Sequence, residues 1–199
     1  TYMKLLDTLA KEGLLDEAMT CYAEIREVGY KVWLSSFKLL INLMSKEGNL
    51  DAMLGLLEDM EKSCVFPDKF VYNICVASFG KAGKIDTAWE FFERMYREGM
   101  DPDVVTLGSL VEYSCKAGEM DRALKFVEEM ESKGYIFPLS SYNALIHGFG
   151  NEKRPNEVML VFERGCKKCC HGSVIDLFNF CFDALKQNEE TKAIWELYL

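Results

Sequence analysis

The sequence repeats itself with a period of 35 residues. Glycine recurs at Gly13, Gly48, Gly83 and Gly118. Lysine recurs two residues before each of these glycines, at Lys11, Lys46, Lys81 and Lys116, and aspartate three residues after them, at Asp16, Asp51, Asp86 and Asp121. Series that share one phase indicate an array of similar units, in which each unit buries its apolar face against its neighbours.

The third unit shows what each repeat folds into. Apolar residues at helical spacing predict a first helix from about Val71 to Lys81, and Gly83 is expected to end it in the left-handed conformation. Asp86 is expected to cap a second helix that runs to about Arg97. No segment alternates apolar and polar residues over the length of a strand. The sequence therefore predicts an all-α solenoid of about five to six helix-turn-helix repeats.

The period also sets the repeat boundaries. We expect a single solenoid over residues 1–199, with repeats at 1–33 (partial), 34–68, 69–103, 104–138, 139–174 (degenerate) and 175–199 (partial). The fifth repeat has Lys153 where the others have the loop glycine. The match of Tyr142 to Phe178 requires 36 residues in that repeat, whereas Lys186 fits 35, so the register of the last repeat stays open.

The composition restricts the function without deciding it. The 23 lysines and arginines against 32 aspartates and glutamates give a net charge of −9, which argues against a protein that is basic as a whole. No apolar run is long enough to span a bilayer. Neither a catalytic constellation nor a cofactor motif is found, and "CKKCCH" (Cys166 to His171) lacks the second ligand pair of a zinc site. We expect no enzyme activity, no cofactor and no metal.

Three stretches show a strong family resemblance. They are "FVYNICVASFGKAGKIDTAWEFFERMYREGMDPD" from Phe70, "DVVTLGSLVEYSCKAGEMDRALKFVEEMESKG" from Asp103 and "TYMKLLDTLAKEGLLDEAMTCYAEIREVG" from Thr1. All three resemble the P-type pentatricopeptide repeat, and the resemblance extends over essentially the whole chain. It implies a right-handed superhelix that binds single-stranded RNA, mostly in plant plastids and mitochondria.

The resemblance also implies which residues contact bases, at about one base per repeat. The key positions are the residue after the opening aromatic and the last residue of each repeat. The resulting pairs are Met3 with Trp33, Lys38 with Asp68, Asn73 with Asp103, Gly108 with Pro138, and Asn143 with Ser173 or Val174, and Asn179 opens the sixth repeat. Phe70 and Val105 are expected to flank the base at Asn73, which should prefer uracil.

Simpler roles stand beside these. Asp68 and Asp103 follow prolines and precede helices, so both fit ordinary N-caps. The lysines of the 35-residue series end successive first helices, where they complement the negative end of the helix dipole. The same lysines could also form a stripe that contacts phosphates. The acidic residues fall mainly in second helices, so a basic inner face is compatible with the negative total.

Two hypotheses for the function follow. The first is an organellar protein, chloroplast rather than mitochondrial, that binds single-stranded RNA with weak selectivity in intron splicing, processing or stability. A transit peptide would then lie outside the given residues, and other RNA-processing proteins and a second copy of the chain remain candidate partners. The second is a helical-repeat scaffold that binds proteins and has little affinity for RNA. The acidic total favours the second hypothesis.

Overall fold

The computed structural model describes residues 2–168 and 174–187. Those residues form helices and no strand, in the order α1 (Tyr2–Glu12), α2 (Leu15–Glu27), α3 (Leu34–Glu47), α4 (Leu50–Lys62), α5 (Lys69–Lys81), α6 (Ile85–Arg97), α7 (Val104–Lys116), α8 (Met120–Ser132), α9 (Leu139–Asn151), α10 (Pro155–Lys168) and α11 (Val174–Gln187). Odd-numbered helices are the first helices of successive repeats. The predicted all-α array is confirmed.

The chain divides into two compact units, Thr1–Asp101 and Pro102–Leu199. In the first unit α3 packs between α1 and α5, and each second helix packs on the first helix of its own repeat. In the second unit α9 packs between α7 and α11 in the same way. Within each unit the first helices therefore form one layer and the second helices another, as expected of a solenoid.

Two contacts show that α3 and α5 run parallel. Near their amino ends, Lys38 of α3 contacts Asp68, the residue before α5, with 2.8 Å between Nζ and Oδ2. Near their carboxyl ends, the hydroxyls of Ser45 and Ser78 lie 2.7 Å apart. Equivalent residues of these two helices therefore lie at the same end of the layer.

One apolar position in each second helix lies at the centre of the packing. Its occupants, all fully buried, are Ala18, Met53, Ala88, Ala123 and Val158. These residues recur every 35 positions, so the same packing contact is repeated from one unit of the array to the next. The largest fully buried side chains include Tyr72 and Tyr142, whose hydroxyls donate to Glu98 and Glu131 at 2.8 Å and 2.6 Å.

The turn between the two helices of a repeat requires a residue with positive φ. Gly83 adopts φ +76°, as predicted, and Lys153 adopts φ +56° at the equivalent place in the fifth repeat. Cys64, with φ +54°, likewise replaces the glycine that ends other second helices, such as Gly99. These two turns therefore adopt the left-handed conformation without glycine, at the energetic cost of a left-handed non-glycine residue.

The prediction that Asp86 caps the second helix of the third repeat is wrong. The N-cap of α6 is Lys84, which makes no side-chain capping bond, and Asp86 lies in the first turn. The chain enters the helix directly after the left-handed Gly83, so the helix begins before aspartate can occupy the cap. Asp86 still carries a negative charge near the positive end of the helix dipole.

The helix starts show the 35-residue period in the described repeats. First helices begin at Leu34, Lys69, Val104 and Leu139, each 35 residues after the last. The described part of α11 starts at Val174, directly after residues 169–173, which lie outside the described ranges. The register of the last repeat, and with it the assignment of Asn179 and the boundary at 174, stays a prediction.

Candidate nucleic-acid interface

A groove in the second unit brings two predicted site residues together. It lies between α7 and α9, has a volume of about 540 Å³, and is lined in part by Lys116, Asn143, Ser140 and His147. A volume of this size is typical of ligand pockets. The residue expected to contact a base and the residue expected to contact a phosphate therefore share one groove.

The charge of Lys116 is partly neutralised inside this groove. Its ammonium lies 2.6 Å from Oε1 of Glu112, one helical turn earlier, and that hydrogen bond raises the pKa of Lys116 above its usual value. An exposed pair at this spacing is worth only about 0.3–0.5 kcal/mol. The lysine can therefore exchange its carboxylate partner for a phosphate at small cost.

Asn143 has unused hydrogen-bonding capacity. Its side-chain carbonyl oxygen is buried, and it accepts no hydrogen bond from the residues that the structure describes. A buried acceptor without a partner costs about 1–3 kcal/mol. A carboxamide supplies both a donor and an acceptor, which is what the edge of a base requires.

A second cluster of predicted residues lies in the first unit. Lys38 forms its ion pair with Oδ2 of Asp68, and its ammonium lies 4.7 Å from the centroid of the Phe70 ring. The other carboxylate oxygen of Asp68 accepts the backbone N–H of Val71 at 3.1 Å, so the predicted N-cap is confirmed. One predicted pair and one predicted flanking residue are thus in direct contact.

The lysine series is exposed in both units. Lys11, Lys46 and Lys81 lie in the last turns of α1, α3 and α5, which pack side by side. None of the three forms an ion pair with any residue in the described part of the chain. These three lysines therefore supply unneutralised positive charge at corresponding positions of the first-helix layer.

Asn73 and Asp103 belong to different units, and their action as a pair stays a prediction. Asn73 is half-buried on α5. Asp103 caps α7 and accepts hydrogen bonds from the backbone N–H and the hydroxyl of Thr106, at 2.8 Å and 2.9 Å. Val105, the predicted flanking residue, is 74% exposed.

The fourth repeat has a closed position where the other repeats carry the residue predicted to contact a base. Gly108 is buried, and a Cβ atom there would lie 2.7 Å from Cγ of Pro138. Pro138 is the predicted partner of Gly108 and stands at the N-cap of α9. The proline ring therefore occupies the space that a larger residue would need.

Several residues singled out in the sequence lie near or beyond the limits of the described ranges. Ser173 lies outside the described residues, as does the second half of the "CKKCCH" segment, and Asn179 is exposed on α11. Within the described ranges no cluster of three metal-ligating side chains occurs. The helices of those same ranges include none long and apolar enough to cross a membrane.

The acidic residues of the second helices make structural contacts. Arg26 pairs with Asp59 between α2 and α4, Arg94 with Glu61 between α4 and α6, and Arg164 with Glu128 and Glu131 between α8 and α10. A larger groove, about 680 Å³, lies between α2 and α4. Its rim carries Glu27, Glu58 and Asp59 against Arg26, which makes it less suited to phosphate than the groove between α7 and α9.

Sequence reasoning missed two residues of the α7–α9 groove. The i,i+4 spacing of Glu112 and Lys116 was readable as a helical ion pair. His147 lies one turn after Asn143 on the same face of α9. Its ring packs edge-on against that of Phe180, with 5.1 Å between the two ring centroids. Only the periodicity of the helix signalled its place in the groove.

Comparison with known families identifies the repeat. Models described as "PPR repeat family" match residues 67–112, and models described as "PPR repeat" match residues 98–131 and residues 1–30, 35–65 and 140–170. Together these segments cover well over half of the chain. A mitochondrial pentatricopeptide repeat-containing protein of Arabidopsis thaliana is 38% identical over 60 residues, which is 30% of this chain and 10% of that protein.

Solved structures show the same fold. The maize pentatricopeptide repeat protein PPR10 matches 100% of this chain with 33% of its own, at 18% identity and a TM-score of 0.66. PPR10 has also been solved with an 18-nucleotide psaJ RNA element. The PPR domain of Arabidopsis thaliana protein-only RNase P 1, solved with tRNA, matches 89% of this chain with 95% of its own, at 18% identity and a TM-score of 0.73. The chain spans about a third of PPR10 and a tenth of the mitochondrial relative.

Proposed function

The chain belongs to the pentatricopeptide repeat family, and on that basis we propose that it binds single-stranded RNA along its first-helix layers. Binding would take about one base per repeat, with weak selectivity, because several of the base-contacting positions carry side chains that cannot hydrogen-bond to a base. The two structural relatives solved with RNA support this class of ligand. The presence of Asn143 and Lys116 in one groove is the observation that supports it most directly.

We propose that the chain acts by covering the RNA segment that it binds. A strand held extended by lysines at its phosphates and by Asn143 at a base is prevented from pairing and is shielded from nucleases. The same strand can be presented to other RNA-processing proteins. This mechanism needs binding and no chemical step from the chain.

An organelle is the proposed location, with intron splicing, processing or stability as the process served. The Arabidopsis relative is named as mitochondrial. It gives no support to the chloroplast preference drawn from the sequence. Crosslinking in purified organelles, followed by sequencing of the bound RNA, would identify both the compartment and the target.

The charge arrangement in the α7–α9 groove gives a sharp test. Lys116→Ala should weaken binding to single-stranded RNA of any sequence. For four phosphate contacts, a plot of log affinity against log salt concentration should have a slope of about −3. Loss of one contact should make this slope shallower by about 0.7. Lys133 provides a matched control, because it also pairs with a glutamate four residues earlier, at 2.7 Å, but follows a second helix. Lys133→Ala should leave the affinity unchanged.

Removal of the competing carboxylate should have the opposite effect. Glu112→Gln frees Lys116 and should tighten RNA binding by up to about fivefold at low salt, since an exposed pair is worth about 0.2–1 kcal/mol. Glu129→Gln is the matched control beside Lys133. Equal effects of the Lys116 and Lys133 substitutions would contradict the proposed interface.

One observation favours the second candidate function, a protein-binding scaffold. The acidic rim of the groove between α2 and α4 would attract a basic peptide segment. Titration of the chain with single-stranded RNA distinguishes the two functions. Absence of RNA binding even at low salt would leave the scaffold as the remaining proposal.

A further inference from the structure

A cluster in the first unit combines a cation, an anion and an exposed aromatic ring. The ammonium of Lys38 lies 2.8 Å from Oδ2 of Asp68 and 4.7 Å from the centroid of the Phe70 ring. The side chains of Lys38 and Asp68 are 31% and 37% exposed, and Phe70 is 45% exposed. We infer that this cluster is a guanine-selective site, an inference that rests on the proposed binding of single-stranded RNA.

The hydrogen-bonding order of the pair matches one base. Lysine offers only donors, and an ionised carboxylate offers only acceptors on two adjacent oxygens. The cluster therefore presents one donor beside two acceptors. Guanine presents the complement along its Watson–Crick edge, which is the O6 acceptor followed by the N1–H and N2–H donors.

Other bases match this order less well. The Watson–Crick edges of uracil and cytosine each contain a single hydrogen-bond donor group, so the second carboxylate oxygen gains nothing. Adenine has an amino group and N1, but a hydrogen at C2 where guanine has its second donor group. Contacts of lysine with guanine O6 or N7 are also among the commonest specific contacts in nucleic-acid recognition. Guanine is the only one of the four bases that uses all three groups.

The geometry leaves the carboxylate able to accept these bonds. Oδ1 of Asp68 accepts a single backbone N–H, from Val71, and Oδ2 accepts Lys38. Each carboxylate oxygen has a second lone pair. The capping bond fixes the carboxylate, and the ion pair fixes the ammonium next to it, so both partners of the base are already oriented.

Phe70 supplies the remaining contact. An exposed ring beside the ion pair offers a surface on which a base can stack, and such stacking is worth about 1–3 kcal/mol for any base. Phe70 therefore contributes affinity, and Lys38 with Asp68 contributes the choice of base. The ammonium lies 4.7 Å from the centroid of the same ring, so the cation, the carboxylate and the ring are within reach of one base.

The test uses uridine oligonucleotides that contain one guanosine, adenosine or cytidine, moved stepwise along the strand. Fluorescence anisotropy would measure the affinity of the full chain for each. We expect guanosine at one position to bind about tenfold more tightly than the other bases there. Asp68→Asn should abolish this preference while the protein stays folded, because asparagine is as good an N-cap as aspartate.

A charge-matched control separates base selection from general attraction. Lys38→Met keeps most of the side chain and removes the donor, so the guanosine preference should disappear. Lys69→Met removes the same charge next to Asp68 and should weaken all sequences without changing the preference. Absence of binding to every oligonucleotide would refute the proposed function itself. Binding without a guanosine preference, or a preference that survives Asp68→Asn, would overturn only the guanine site.

Discussion

Replacement of Gly108 by alanine should destabilise the chain, although alanine is the better helix former. The new Cβ would lie 2.7 Å from Cγ and 3.3 Å from Cδ of Pro138. The proline ring is rigid and stands at the start of α9, so it cannot move without shifting the helix. Overpacking of this kind costs about 1–3 kcal/mol. Alanine recovers about 1 kcal/mol of helix propensity, which leaves a net loss of about 0–2 kcal/mol.

Two other glycines isolate the steric contribution. Gly55 lies in α4 with no atom within 4 Å of an added Cβ, so Gly55→Ala should stabilise by about 0.5–1 kcal/mol. Gly148 would meet the flexible end of Met120, which can move aside, so Gly148→Ala should fall between the two. The difference between the Gly108 and Gly55 variants should be about 1–3 kcal/mol.

Urea and thermal unfolding followed by circular dichroism would measure this difference. A repeat array does not always unfold in one step, so the midpoints must be compared with the same probe for all three variants. A difference of 1 kcal/mol corresponds to about 2–4 °C in a chain of this size. A Gly108→Ala variant as stable as Gly55→Ala would refute the account of the closed position in the fourth repeat.

Two further predictions concern the left-handed residues and the thiols. Lys153→Gly should raise the free energy of unfolding by about 0.5–1 kcal/mol, because the relief of left-handed strain outweighs the destabilising entropy that glycine adds to the unfolded chain. An unchanged or lowered midpoint would contradict this. In thiol labelling at pH 8, the exposed Cys64 should react before the buried Cys75. Cys75 should react slowly until the pH approaches 12, because burial raises its pKa to about 12 and keeps the thiol protonated below that value. Equal rates for both thiols in the folded chain would contradict the burial of Cys75.

Local sequence signals predicted most of the fold. The turn glycines and the caps Asp68 and Asp103 each depend on neighbours within a few positions, so their spacing was sufficient. Asp86 was misassigned because one residue of difference in a turn decides which side chain reaches the cap position. The positive φ of Lys153 could not be predicted from the residue type, because the surrounding turn and not the lysine itself imposes that conformation.

The candidate site was predictable in part. The sequence pointed to Lys116 and Asn143 separately, but their common groove depends on the packing of α7 against α9. The contact of Lys38 with Asp68 spans 30 residues and arises only from the parallel packing of α3 and α5. The lysine series predicted a basic stripe, but the ion pair with Glu112 partly neutralises its charge at Lys116.

Photocrosslinking would locate bound RNA on the helices of the chain. The full chain would be irradiated with single-stranded RNA that contains 4-thiouridine, and the modified peptides would be identified by mass spectrometry. We expect crosslinks on first helices, above all on α7 and α9 around Lys116 and Asn143. Crosslinks confined to the second helices, such as α2 and α4, would contradict it.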